Sequence, residues 1–298
     1  MHNPNATSRR NILKMLSAAP MLPLTTGFAG SALLAGCGGG DDARLIGVTF
    51  SSMAAPTLAN PAAMATTTVG SVMSASFDDG TKADFKLSYA PFFITGNKVS
   101  DGKGGQILAG GYFDINNQPI IDKTVAGSER QFFSDGPDGT SLLSVPGAKV
   151  DGVKGNAVFA VVQFEYSSLA QDGKTGMYGK LPSPIAVLTL DQNPQTGKLS
   201  LVKYHNVNTS GVHGLWITCG ASLSPWGTHL SSEEYEPDAF AARDKNFMND
   251  FSLNLYGDAT KANPYHYGHM PEVTVNADGT GSIKKHYCMG RISHELVQ

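Results

Sequence analysis

From residue 77 onward the apolar positions come in short runs closed by turn chemistry, and no long segment keeps a 3.6-residue period. Residues 157–166 (AVFAVVQFEY) and 185–190 (IAVLTL) therefore predict strands. The polar stretch 191–197 (DQNPQTG) predicts a turn leading into a further strand at 199–204. Residues 272–275 and 282–287 flank an Asp278-Gly279 turn, which predicts a hairpin. Residues 135–139 (DGPDG) read as a loop. A helix is predicted only around 237–251, where Ala239, Phe240, Phe247 and Phe251 share a rough apolar face. Many short strands with tight turns give an all-β class: a sandwich, a barrel or a propeller. At ~45 residues per blade, the 262 residues from 37 to 298 have room for about five or six blades.

The start of the chain reads as an address. Ser8-Arg9-Arg10-Asn11-Ile12-Leu13-Lys14 carries a twin-arginine export signature on Arg9 and Arg10. An apolar stretch of small residues follows, holds Pro20 and Pro23, and ends in Leu34-Ala35-Gly36-Cys37. That box suits cleavage before Cys37 and acylation of its thiol, and the prolines and small residues speak against a retained transmembrane anchor. Residues 1–36 are thus expected to be a removed signal. Residues 37–69, with Gly38-Gly39-Gly40 and an Ala/Thr/Ser/Pro-rich run, are expected to be a flexible tether. Residues 70–298 would be the folded domain. The expected location is the cell envelope or periplasm, on a lipid anchor at Cys37.

Charge removes one class of partner. The 298 residues carry 22 basic and 25 acidic side chains, a net −3, which gives no electrostatic case for nucleic acid. With Cys37 lipidated, Cys219 and Cys288 remain. One reading pairs them in a disulfide, which an oxidising envelope permits; the other makes one of them a thiolate metal ligand. Small residues flank Cys219, whereas Cys288 sits among bulky neighbours, so Cys219 is expected to face a metal.

Residues 214–238 (GLWITCGASLSPWGTHLSSEEYEPD) concentrate the candidate chemistry. A thiol at Cys219 precedes a rigid Pro225-Trp226-Gly227 turn and the acids Glu233, Glu234, Glu236 and Asp238. Oxygen ligands at that density suit Ca²⁺ or Mg²⁺, and a thiolate suits softer metals such as iron or zinc. A solvated acidic loop fits the same residues. Tyr265-His266-Tyr267-Gly268-His269 lacks a Cys pair or an HExxH spacing and reads as structural histidines. Gly290-Arg291-Ile292-Ser293-His294-Glu295 gathers a cation, an imidazole and a carboxylate. No GxSxG elbow, Walker loop or dinucleotide fingerprint is present.

Taken together, Cys219-Gly220-Ala221, Pro225-Trp226-Gly227-Thr228 and Glu233-Glu234 resemble the Cys-x-Gly-Gly, Pro-Trp-Gly-Thr and Glu-Glu block of PhoX-type alkaline phosphatases. Residues 290–295 resemble that family's Gly-Arg-Phe-x-His-Glu motif, and the resemblance covers residues 150–298. Ala221 stands where the family has a second Gly, and Ser232 where it has a Cys.

The resemblance implies a monomeric β-propeller that hydrolyses small phosphate monoesters at an iron and calcium centre. It implies that Cys219 bridges the irons, that Glu295 ligates iron, and that Glu233 and Glu234 lie where calcium is held. Family members are longer, and their downstream half supplies a further glutamate and a phosphate-contacting arginine. The chain is therefore expected to be the N-terminal part of a propeller, incomplete and poorly active. The alternative from another class is a lipid-anchored β-propeller binding protein without hydrolysis.

Overall fold

Alternation of covered and exposed side chains, the mark of a strand with one buried face, begins early in the chain. The structure, a computed structural model, describes residues 43–66, 68–240 and 247–298. Arg9, Arg10 and Cys37 lie outside the described residues. The chain divides into two compact units, one of residues up to 91 with 194–198, the other of 92–193 with 199–298.

In the first unit, β1 (Leu45–Phe50), β2 (Thr68–Phe77) and β3 (Lys82–Ser88) form an antiparallel sheet in that order. Ala75 and Phe77 fill its small core with Leu45, Met73 and Phe85. β1 falls within the stretch read as a tether, where Val48 finds a register partner in Ala75.

The second unit opens with two short hairpins, β4 (Lys98–Ser100) with β5 (Gln106–Leu108) and β6 (Ile121–Asp122) with β7 (Arg130–Gln131). Then β8 (Pro137–Leu143), β9 (Asn156–Phe164), β10 (Ile185–Gln192) and β11 (Leu199–Asn206) form a four-stranded meander. A second meander joins β12 (Ser222–Leu223), β13 (His229–Leu230), β14 (Pro271–Val275) and β15 (Gly281–Lys285).

β9 and β10 lie in the middle of their sheet and are covered on both faces, which is why their sequences are nearly continuous apolar runs. Phe159, Val161, Ile185 and Val187 face one core with Val273 and Val275 of the second meander. The intervening Ala160, Val162, Ala186 and Leu188 face another, with Phe164 and Tyr204. A one-residue slip would exchange the two faces, so the register (Val187 opposite Val161) is fixed by the pattern.

The all-β class holds: among the described residues the strands form several small antiparallel sheets, without a closed propeller. Two expectations change. Within the expected 237–251, residues 239–240 are helical, and the helix α1 runs Asn249–Tyr256, past the expected end. Its buried stripe is Phe251 and Leu255, one turn apart against Trp216 and Tyr267, while Phe240 and Phe247 are exposed. Gly257 ends it at φ +70°, its N–H on the Leu253 carbonyl. The predicted loop at 135–139 overlaps β8, because a bulge admits Asp138 and Gly139 into the strand. Among the described residues no helix is long and apolar enough to cross a membrane.

Candidate metal centre

Cys219 sits between the strained segment 213–217 and β12, and is only 9% exposed. Ile217, two residues upstream, holds φ +39°, a value that costs a β-branched residue energy and persists only where its surroundings impose it. Those surroundings are visible: the Ile217 carbonyl accepts the Glu234 N–H at 3.0 Å, which carries Glu234 to the thiol. The Cys219 N–H donates to Ser232 Oγ at 3.0 Å, and that hydroxyl donates onward to the Gly220 carbonyl at 2.9 Å. The Gln163 amide from β9 donates to both the Cys219 and Gly220 carbonyls. Buried His229 holds Gln163 in turn, Nε2 to Oε1 at 3.0 Å, and desolvation lowers the imidazole to about 3, so it is neutral.

Two acids from the first meander reach the same point. The register of β8 on β9 shifts between Pro137 and Thr140, and this bulge re-aims Asp138. Its Oδ2 lies 3.4 Å from Cys219 Sγ. Glu165 follows β9 directly, its N–H on the Gly136 carbonyl and its own carbonyl accepting from Ser183 Oγ at 2.7 Å. Ligand atoms of Asp138, Glu165 and Cys219 all lie within 4.8 Å of one another. Glu295 arrives from the end of the chain: Glu233 and His294 form a bridge, and a Cβ on Gly220 would come within 2.9 Å of the Glu295 carbonyl.

The charges at this point are all of one sign. Burial pushes the Cys219 thiol well above its ordinary range, and hydrogen bonds to Asp138 and Glu234 push it further. Glu165 is pushed up to about 7, first by burial, then by the negative charges of Asp138, Glu234 and Glu295. The phenol of Tyr178 is pushed up to about 12 by burial and by Glu165, so it stays neutral. Converging acids with a buried thiol are what a cation site needs, since a bound polycation reverses both shifts.

The sequence-derived candidates separate into two groups. Cys219, Glu234 and Glu295 meet around this point with Asp138 and Glu165. Glu233 faces elsewhere and is fully buried. Its Oε1 takes Lys285 Nζ at 2.8 Å and the Trp216 N–H at 2.9 Å, and its Oε2 takes the N–H groups of Gly268 and His269. Arg291 spends its guanidinium on the carbonyls of Tyr267 and Pro237. His269 sets its ring nitrogens against the carbonyls of Gly290 and Tyr265 at 3.0 Å. The Pro225-Trp226-Gly227-Thr228 turn serves Glu272, whose Oε1 accepts from Trp226 Nε1 and Thr228 Oγ1. Cys219 and Cys288 are both free thiols.

Asp138 and Glu165 escaped the sequence reading. Asp138 was hidden in a turn-like string and Glu165 at the end of a strong strand. The one signal was a carboxylate closing an otherwise apolar run.

No curated protein and no solved structure matches the chain. Asp138 and Glu165 precede the one stretch that does match a family, whereas Cys219, Glu234 and Glu295 fall within it. Residues 188–298 match the family model of alkaline phosphatase PhoX, and this part of the chain is PhoX-like.

Proposed function

We propose that this chain is an exported, metal-dependent phosphatase of phosphate monoesters, with its cations held by Cys219, Asp138, Glu165, Glu234 and Glu295. One observation carries the reading: a buried thiol and converging carboxylates meet, and three of these residues lie in the PhoX-like stretch. The donor set fits the metals that the resemblance implies. A thiolate suits iron, and clustered carboxylates suit calcium. When bound, such ions stabilise charge developing on a phosphoryl group and lower the pKa of bound water.

The chain's own residues prepare the place. Ser232 and Gln163 fix the backbone of Cys219 from two sides, so Sγ is positioned before any ligand arrives. Were a cation bound, Cys219 would hold it as the thiolate and Glu165 as the carboxylate. Tyr178 keeps its phenolic proton next to Glu165 and remains able to donate one hydrogen bond.

The two four-stranded meanders are the form of propeller blades, and we place them in such an architecture. The Arg9-Arg10 signature and the Leu34-Ala35-Gly36-Cys37 box support twin-arginine export and a lipid anchor at Cys37 on an envelope protein, and the family resemblance supports a monomer. The test is hydrolysis of p-nitrophenyl phosphate with added Fe²⁺ and Ca²⁺, alongside elemental analysis of the purified chain. Turnover and bound iron should both disappear in Cys219→Ala. Metal-independent turnover, or iron retained without the thiol, would refute the assignment.

A further inference from the structure

A cavity of about 420 Å³ opens beside the Cys219 cluster, and Asp138 belongs to both. Phe92, Phe93, Pro137 and Val162 supply its apolar walls, and Asp135 and Asp138 supply carboxylates. Among the described residues no lysine, arginine or histidine lines it.

The aromatic wall is preformed. The Phe93 ring stands edge-on to Phe164 at 6.1 Å and to Tyr204 at 6.5 Å, with Phe92 at 5.6 Å. Val162 on β9 is register partner to Thr140 on β8, so the bulge that turns Asp138 toward the thiol also shapes the cavity. Size and lining suit an organic group, since a cavity of about 150 Å³ already accepts benzene and ligand pockets start near ~300 Å³. Asp135, which is not among the proposed cation ligands, keeps a carboxylate on the wall that repels a second negative charge.

We propose that this cavity is the subsite for the organic group of the phosphate ester. It takes an uncharged group of aryl size and rejects an anionic one. The inference rests on the phosphatase reading above, because it seats the phosphoryl group at the Cys219 cluster and lets the ester's other half pass Asp138 into the cavity.

The experiment compares phenyl phosphate, methyl phosphate and phosphoglycerate, whose organic group carries a carboxylate, as substrates of the metal-loaded full chain. The kcat/KM for phenyl phosphate should exceed that for methyl phosphate by about tenfold or more, the range one apolar contact set supplies. Phosphoglycerate should fall below both. Phe92→Ala should collapse the phenyl-to-methyl ratio, and Thr140→Tyr, which fills the cavity from an exposed strand position, should do the same if Phe92→Ala does not fold. Asp135→Asn should raise the phosphoglycerate-to-methyl ratio. Ratios unmoved by these variants would overturn the subsite while leaving the phosphatase reading intact. Binding of phenol itself, followed by saturation-transfer NMR on the full chain, needs no catalysis. If no ester is hydrolysed, the phosphatase reading fails and the ester subsite with it, and phenol binding lost in Phe92→Ala or Thr140→Tyr then assigns the cavity an uncharged aryl ligand alone. Phenol that binds equally to wild type and variants, or not at all, refutes it.

Discussion

The Cys219 thiol lies 3.4 Å from a carboxylate oxygen of Asp138, a residue 81 positions earlier in the chain. A neutral thiol is what keeps this contact favourable in the metal-free protein, because a thiolate would face the carboxylates of Asp138, Glu165 and Glu234. Reaction with a disulfide reagent should therefore be slow at Cys219 at pH 8, while exposed Cys288 in the same molecule reacts quickly. Asp138→Asn should speed labelling of Cys219. Equal rates at the two cysteines, read by peptide mass spectrometry, would contradict this account.

Glu233 and Glu234 are neighbours with opposite consequences. Glu233 forms a fully buried pair with Lys285 at 2.8 Å, so Glu233→Gln strands a buried ammonium and should cost about 3–5 kcal/mol in urea unfolding. Glu234 adds to a field of like charge around Cys219 and Glu165. Glu234→Gln should leave the metal-free chain as stable as wild type or more so, yet reduce the metal it binds. The pair is resolved by measuring both quantities on both variants; the reverse pattern would place the cation at Glu233.

Glu272 sets an acid limit on stability. Burial alone would raise its carboxyl, but hydrogen bonds from Thr228, Trp226, Lys284 and His286 outweigh this and hold it at about 2, against an ordinary 4.5. A carboxylate depressed in the folded state stabilises above its unfolded pKa and loses that contribution as pH falls through the folded one. The stability difference between wild type and Glu272→Gln should thus be constant at neutral pH and shrink as pH drops from 4.5 towards 2. At neutral pH, Glu272→Ala should cost about 1–3 kcal/mol through partners left unsatisfied. A pH-independent difference in thermal melts would show that the carboxylate is not held in this way.

β9 and β10 were legible because covering both faces makes them continuous apolar runs, and the β14–β15 hairpin because two strand-like segments flank an Asp-Gly turn; local pattern was enough. β8 was not legible, because its bulge places Asp138 and Gly139 where a turn is expected. The site followed the same division. Cys219 and Glu234 stand out as a thiol beside an acid cluster. Their separation from Glu233 depends on Lys285 and on the N–H groups of Gly268 and His269, which no spacing rule supplies. Glu165 reaches the thiol through the Ser183 link and the Gly136 carbonyl, both contacts of the folded chain.

Gly139 is the residue through which the first meander approaches the site. Its N–H donates to the Cys219 carbonyl at 3.0 Å, and a Cβ there would lie 2.6 Å from the Ala221 nitrogen and 2.7 Å from the Cys219 carbonyl oxygen. Both are backbone atoms: Gln163 holds the Cys219 carbonyl, and Ser232 and Gln163 hold the Gly220 carbonyl of the peptide that carries the Ala221 nitrogen, so neither can yield cheaply. Gly139→Ala should therefore push Asp138 away from the thiol, cost about 1–3 kcal/mol of stability, and weaken metal binding more than a distant change of equal cost. Gly176→Ala is the control, since a Cβ there meets nothing within 4 Å. Iron and calcium titrations of the two variants, paired with urea unfolding, separate the effects. If Gly139→Ala binds metal and unfolds as Gly176→Ala does, the close approach of β8 is not what assembles the centre.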